Sequence, residues 1–167
     1  MILVGIDPGS QYTGYGVVRR DGSKLTCVDH GRFSLPSKAP VPERLGRLSE
    51  HLSRLLDQTC PSAVAVESVF HGVNTRSLVV LAQARGAILA ELGRRQLDCH
   101  EYSPSEVKRA VTGSGRAHKD QVARMVKLLL NLRGGKFSAD ATDALAVAVC
   151  LANSLRVERI RDAAART

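Results

Sequence analysis

Five small or apolar residues near the start of the chain, Ile2-Leu3-Val4-Gly5-Ile6, run straight into Asp7-Pro8-Gly9-Ser10, and that junction constrains the fold more than any other feature. A run so short, closed by proline and glycine, is a strand signal and not a helix signal. Residues 15–19 and 25–35 read as two further strands, with Asp21-Gly22 between them at a hairpin position. The chain therefore starts as a three-stranded antiparallel meander. Its apolar residues suit such strands covered by helices: the sequence is 44% hydrophobic and has no Trp, so a core must come from Val, Leu, Ile and Ala. With 167 residues the chain can close one core without disulfides.

Helical periodicity then takes over. Pro42 opens a segment whose Leu45, Leu48, Leu52, Leu55 and Leu56 share one face while Arg44, Arg47, Glu50 and Arg54 lie elsewhere. Residues 63–66 form a short buried strand that stops at Glu67, followed by a polar loop through Asn74. Leu78, Leu81, Ala82, Ile88, Leu89 and Leu92, with Arg85 near the boundary, predict a second helix, and residues 97–102 a fifth strand. Ser103-Pro104-Ser105-Glu106 supplies an N-cap, a proline at the first helical position and a capping-box glutamate, and Gly113 is a terminator. After a glycine-containing basic loop over residues 113–118, residues 119–131 turn Val122, Met125, Val126, Leu129 and Leu130 inward until Gly134-Gly135 breaks the pattern. Ser138 can cap a last helix over residues 139–153. The fold class is α/β, with one domain over residues 1–154 and a basic, flexible tail over residues 155–167.

Cys27, Cys60, Cys99 and Cys150 lie far apart, with no Cys-x-x-Cys pair and no histidine cluster at zinc spacing, so they are expected as reduced, buried thiols. The start of the chain has no basic-then-apolar signal pattern, and no apolar stretch is long enough to span a bilayer. A cytoplasmic protein with no membrane partner is expected. A formal charge of +8 and a pI near 9.8 favour a polyanionic partner, for which nucleic acid is the commonest candidate, while solubility alone is the blander account of the charge.

Asp7 and Glu67 each end an apolar strand, and functional side chains gather at the C-terminal edge of parallel strands in open α/β sheets. If those strands are neighbours, the two carboxylates meet. Asp140 and Asp143 lie in the first turns of the last helix and leave it from the same face. Clustered carboxylates repel one another and persist only where a cation or protons offset the charge. Hard oxygen donors favour Mg²⁺ or Mn²⁺, and two such ions roughly 3.5 to 4 Å apart can activate a water and stabilise the leaving oxygen of a phosphodiester. Each acid also has an ordinary local role open to it. The helix dipole favours Asp140 and Asp143, a turn favours Asp7, and a surface salt bridge suffices for Glu67.

The string Gly5-Ile6-Asp7-Pro8-Gly9-Ser10-Gln11-Tyr12-Thr13-Gly14-Tyr15-Gly16 resembles the opening of the RuvC family of Holliday-junction resolvases. Ala65-Val66-Glu67-Ser68-Val69-Phe70, Gln83-Ala84-Arg85-Gly86 and Ala139-Asp140-Ala141-Thr142-Asp143-Ala144-Leu145-Ala146 follow in the family's order, and the resemblance runs to about Ser154. It implies an RNase H-like fold: a mixed five-stranded sheet, three antiparallel strands then two parallel, with helices on both faces. It implies a homodimer that binds four-way DNA junctions and nicks two strands of like polarity symmetrically, in homologous recombination and DNA repair. Mg²⁺, with Mn²⁺ able to substitute, would occupy one or two positions per subunit. A junction-binding protein and a branch-migration ATPase are the implied partners.

By the same resemblance Asp7, Glu67, Asp140 and Asp143 take the catalytic and metal-binding positions, and Lys108 and Lys119 match basic positions near the scissile DNA. Phe70 matches an aromatic that stacks on bases, with loop anchoring as its competing role. Arg76, Arg116 and His118 are further candidate DNA contacts, and solvation is the competing account for each basic residue. An RNase H-like nuclease acting on another nucleic acid is the nearest alternative. The Asp7-x-Gly9-Ser10-x-x-Thr13-Gly14 string also resembles the phosphate hairpin of actin-like ATPases, which needs a second such domain. A non-catalytic junction binder would gain nothing from the acids.

Overall fold

The computed structural model describes residues 1–68, 75–132 and 137–165, with the side chains of residues 76 and 158–165 outside the description. The elements are β1 (Ile2–Asp7), β2 (Tyr12–Asp21), β3 (Lys24–Ser34), α1 (Val41–Thr59), β4 (Ala63–Glu67), α2 (Thr75–Arg94), β5 (Cys99–Tyr102), α3 (Pro104–Thr112), α4 (Lys119–Leu129) and α5 (Ala139–Ala165). They build a five-stranded sheet in the order β3-β2-β1-β4-β5. β1 pairs antiparallel with β2, β2 antiparallel with β3, β1 parallel with β4, and β4 parallel with β5. The expected α/β class and the expected split into three antiparallel and two parallel strands are both present.

Alternation along β1 and β4 divides the core in two. Leu3, Ala63 and Ala65 face α3, α4 and α5, where Val107, Val111, Val122, Val126 and Leu145 close over them. Val4, Ile6, Val64 and Val66 face α1 and α2 and meet Leu48, Leu52, Ile88 and Leu92. Each of those four helix residues is almost wholly withdrawn from water, which stabilises the fold by about 1.5–3 kcal/mol apiece before entropy is counted. Truncating Leu52 to Ala would remove this burial and leave a cavity, at a cost of about 2–5 kcal/mol.

Three glycines, Gly5, Gly14 and Gly16, set how α5 lies on the sheet, and the tightest approaches are at the first two. A Cβ on Gly5 would stand 2.2 Å from the Ala144 carbonyl oxygen, and one on Gly14 would stand 2.1 Å from that of Asp140. Backbone therefore rests on backbone, and the first turns of α5 come down beside the end of β1. Ser138 holds the start of that helix: its hydroxyl accepts from the Ala141 N–H at 3.2 Å, as the sequence predicts. The capping box at α3 is also present, with Ser103 and Glu106 closing it in both directions and Gly113 ending the helix at φ 80°.

Several expectations are corrected. The sequence pattern predicts a helix end at Asn153, but α5 continues through Ala165, because the arginine- and alanine-rich stretch has high helix propensity and no Gly or Pro to stop it. Leu129 is exposed, since the buried stripe of α4 runs through Val122, Val126 and Leu130. Ala82 is exposed because the buried face of α2 follows Ala84, Ile88 and Leu92. The cysteines are free thiols, but only Cys150 is buried; Cys60 and Cys99 lie at element ends and are exposed, and Cys27 on edge strand β3 is half-buried. The loop to Asn74 and the Gly134-Gly135 break lie outside the described residues.

Candidate active site

The parallel pairing of β1 with β4 puts Ile6 opposite Val66, so the next residues, Asp7 and Glu67, emerge side by side at the C-terminal edge of the sheet. Burial raises the Asp7 carboxyl from 3.8 to about 8, and the neighbouring negative charges of Glu67, Asp143 and Asp140 push the same way. Burial also raises Glu67, while its hydrogen bond with Asp7 and the charges of Lys119 and Lys108 oppose the rise. The pair thus holds a proton between its carboxyl groups in the absence of a compensating cation.

Asp140 and Asp143 reach the same region from the first turns of α5. Each is met by a basic side chain. Lys119 Nζ, at the start of α4, donates to Asp143 Oδ2 at 2.6 Å, and Arg32, on β3, donates to Asp140 Oδ2 at 3.3 Å. The Asp143 contact holds Lys119 above its ordinary value. With side-chain exposures of 65% and 25% in the first pair and 43% and 32% in the second, each contact contributes about 0.2–1 kcal/mol, little enough to be exchanged for a stronger one. Among the described residues, no three acid, histidine or cysteine side chains yet converge as a ready cage for an ion.

Beside the acids lies a cleft of about 190 Å³ between α3, α4 and α5, lined by Glu67, Lys108, Lys119 and Asp143 with Pro104, Val107, Val122 and Ala146 beneath. It brings together two of the four acids and both of the lysines expected to meet DNA. Arg116 and His118 stand exposed on the loop into α4, His118 as its N-cap, and neither lines this cleft. Arg76 is in the first turn of α2 with its side chain outside the description, and Phe70 lies outside the described residues. Arg32 is the site residue that sequence reasoning missed. Only the pairing of β3 with β2, which sets it opposite Gly14, directs it to α5.

The family model described as Crossover junction endodeoxyribonuclease RuvC matches residues 3–151. The chain belongs to the RuvC family. A crossover junction endodeoxyribonuclease RuvC of Anaeromyxobacter dehalogenans is 49% identical over 150 residues, covering 90% of this chain and 80% of the relative. The solved structure of Thermus thermophilus RuvC superposes with a TM-score of 0.87 at 32% identity, covering 95% of this chain and 97% of that one. T. thermophilus RuvC in complex with a Holliday junction substrate matches with a TM-score of 0.85 at 30% identity, covering 94% and 96%. The RuvC match spans both halves of the acidic site, and it replaces the actin-like ATPase alternative. Among the described residues, no helix is long and apolar enough to cross a membrane.

Proposed function

We propose that this RuvC-family chain resolves four-way DNA junctions by metal-dependent hydrolysis of phosphodiester bonds, with Asp7, Glu67, Asp140 and Asp143 as the carboxylates of the reaction. The observation that carries this is the placement of two strand-end acids near two acids on the first turns of α5, close enough that the other three all push Asp7 up, beside a cleft walled by Lys108 and Lys119. The donor set fits a hard divalent ion: it is all carboxylate, and burial together with neighbouring negative charge pushes Asp7 up, as burial does Glu67, so ionising both calls for a nearby cation. Mg²⁺ is the ion proposed, with Mn²⁺ as a substitute, in one or two positions per subunit. When bound it would activate a water and stabilise the leaving oxygen of the phosphodiester.

The chain's own residues do the rest. Asp7 and Glu67, fixed on a buried sheet edge, hold their carboxyl groups where relaxation is restricted. The backbone contact of α5 with Gly5 and Gly14 sets Asp140 and Asp143 against them. Lys108 and Lys119 supply positive charge along the cleft for the backbone of the cut strand, and Phe70, Arg76, Arg116 and His118 extend the proposed DNA surface. A four-way junction has two equivalent strands of like polarity, so a homodimer with one acidic site per subunit cuts both symmetrically. A junction-binding protein, a branch-migration ATPase and action in the cytoplasm complete the proposal on the strength of the family resemblance.

The test is incubation with Mg²⁺ and end-labelled DNA as a mobile four-way junction, a linear duplex, a single strand and an RNA–DNA hybrid, with Asp7→Asn as control. Paired, symmetric nicks confined to the junction are expected. Cleavage of the hybrid alone would move the substrate to RNA–DNA, and wild-type turnover in Asp7→Asn would remove the acids from the reaction.

A further inference from the structure

All four acids have partners without any metal: Asp7 and Glu67 have each other, Asp143 has Lys119, and Asp140 has Arg32. Lys119 is accounted for by the proposed DNA cleft. Arg32 is not. It stands on edge strand β3, paired with Gly14, on the sheet face where α5 begins. Its guanidinium is held twice, by Asp140 Oδ2 at 3.3 Å and by the Tyr12 ring, whose centre is 4.1 Å from the guanidinium carbon. Tyr12 is itself exposed, so this platform lies at the rim of the site. The contact with the ring does not depend on Asp140, and it survives if that carboxylate turns to another cation.

We propose that Arg32 is an exchangeable counter-ion of the active site: it neutralises Asp140 until a divalent cation takes that carboxylate, then remains on the Tyr12 ring as a contact for a DNA phosphate. This rests on the reading of Asp140 as a metal ligand. An exposed single-charge pair yields to a doubly charged ion bound by several oxygens, and a guanidinium freed of its carboxylate keeps its charge and has the fork geometry that phosphate accepts. Metal loading would then turn an inward-facing cation outward. By reciprocity, DNA that engages Arg32 would strengthen metal binding at Asp140.

Arg32→Gln in the full-length protein tests this without reading catalysis. Mn²⁺ titration of the DNA-free protein, followed by the resonance of the free ion, is expected to show binding about tenfold tighter than wild type, the order for removing a unit positive charge beside a divalent ion in a water-like dielectric. Arg32→Lys keeps the charge and is expected to retain the wild-type affinity. Junction binding measured across a range of salt is expected to lose about one phosphate contact from its slope in Ca²⁺ but none in EDTA, where wild-type Arg32 is still occupied by Asp140. Weaker Mn²⁺ binding in Arg32→Gln would instead make Arg32 a positioning residue for Asp140, and equal slopes in both conditions would remove it from the DNA surface. Either result overturns the proposal. If wild type shows no Mn²⁺ site that Asp140→Asn abolishes, the metal reading itself falls.

Discussion

Placing one methyl group on Gly14 should disable the acidic site without touching an acid. The Cβ of Gly14→Ala would lie 2.1 Å from the Asp140 carbonyl oxygen and 2.7 Å from its carbon, where ordinary contact begins at 3.4 Å. Taking the oxygen contact alone, the first turn of α5 must retreat by about 1.3 Å or the strand must bend, and the atoms in the way are backbone that cannot rotate aside. Overpacking of this kind costs about 1–3 kcal/mol, and a displacement near 1 Å in a reacting constellation costs on the order of 10²-fold in rate. Gly14→Ala is therefore expected to melt several degrees lower yet remain folded under assay conditions, to bind junctions nearly normally, and to cut them about a hundredfold more slowly. Gly46→Ala is the control. It has open space around its Cβ and sits within α1, so a small gain in stability and unchanged cleavage are expected. Junction cleavage under single-turnover conditions and thermal melting decide the matter. Wild-type values of both for Gly14→Ala would refute the claim that backbone contact at Gly14 sets the acids.

Because the folded state raises Asp7 from 3.8 to about 8, the stability associated with its proton is full below about pH 4 and is lost as pH rises toward 8, so Mg²⁺ should add most to the melting temperature near pH 8 and little near pH 5. An equal Mg²⁺ shift at both pH values would contradict this. Asp7→Asn should abolish cleavage while raising the metal-free melting temperature at pH 8, since it removes a charge that the folded state disfavours; a lower melting temperature would show that the acid is needed for packing. Lys119→Ala should weaken junction binding and flatten its salt dependence by about one phosphate contact, and an unchanged slope would return the lysine to the solvated surface. Ser103→Ala, which opens the capping box of the helix carrying Lys108, should cost about 1 kcal/mol in chemical denaturation with the cleavage rate preserved; no loss would mean the cap is redundant.

What could be read from the sequence was whatever is encoded by neighbours along the chain. Asp7 and Glu67 were visible as stops at the ends of apolar runs, and Ser103, Glu106 and Gly113 as the punctuation of α3. Asp140 and Asp143 were visible because helical spacing puts them on one face. What could not be read depends on partners distant in sequence. Arg32 reaches Asp140 only through the register of β3 on β2, which shifts between Val17 and Val18 and so defeats simple counting from the hairpin. The lysine at 119 could be suspected of meeting DNA, but its bond to Asp143 follows from how α4 packs beside α5. The exposure of Cys60 and Cys99 escapes the sequence for a related reason: residue type reports an average preference for burial, while position at an element's end decides the individual case.

The acidic site joins the first strand of the chain to its last helix, and this fixes when during synthesis the site can exist. β1 can pair with β2, and β2 with β3, through local contacts, but Asp140 and Asp143 join Asp7 only after all the elements between β1 and α5 have been made. Long-range closure of that kind comes late in folding. A nascent or truncated chain lacking α5 would carry much of the basic surface without half of its acids. It would also lack Leu145 and its neighbours over one face of the sheet, so neither that core nor the acidic site closes until α5 has been made.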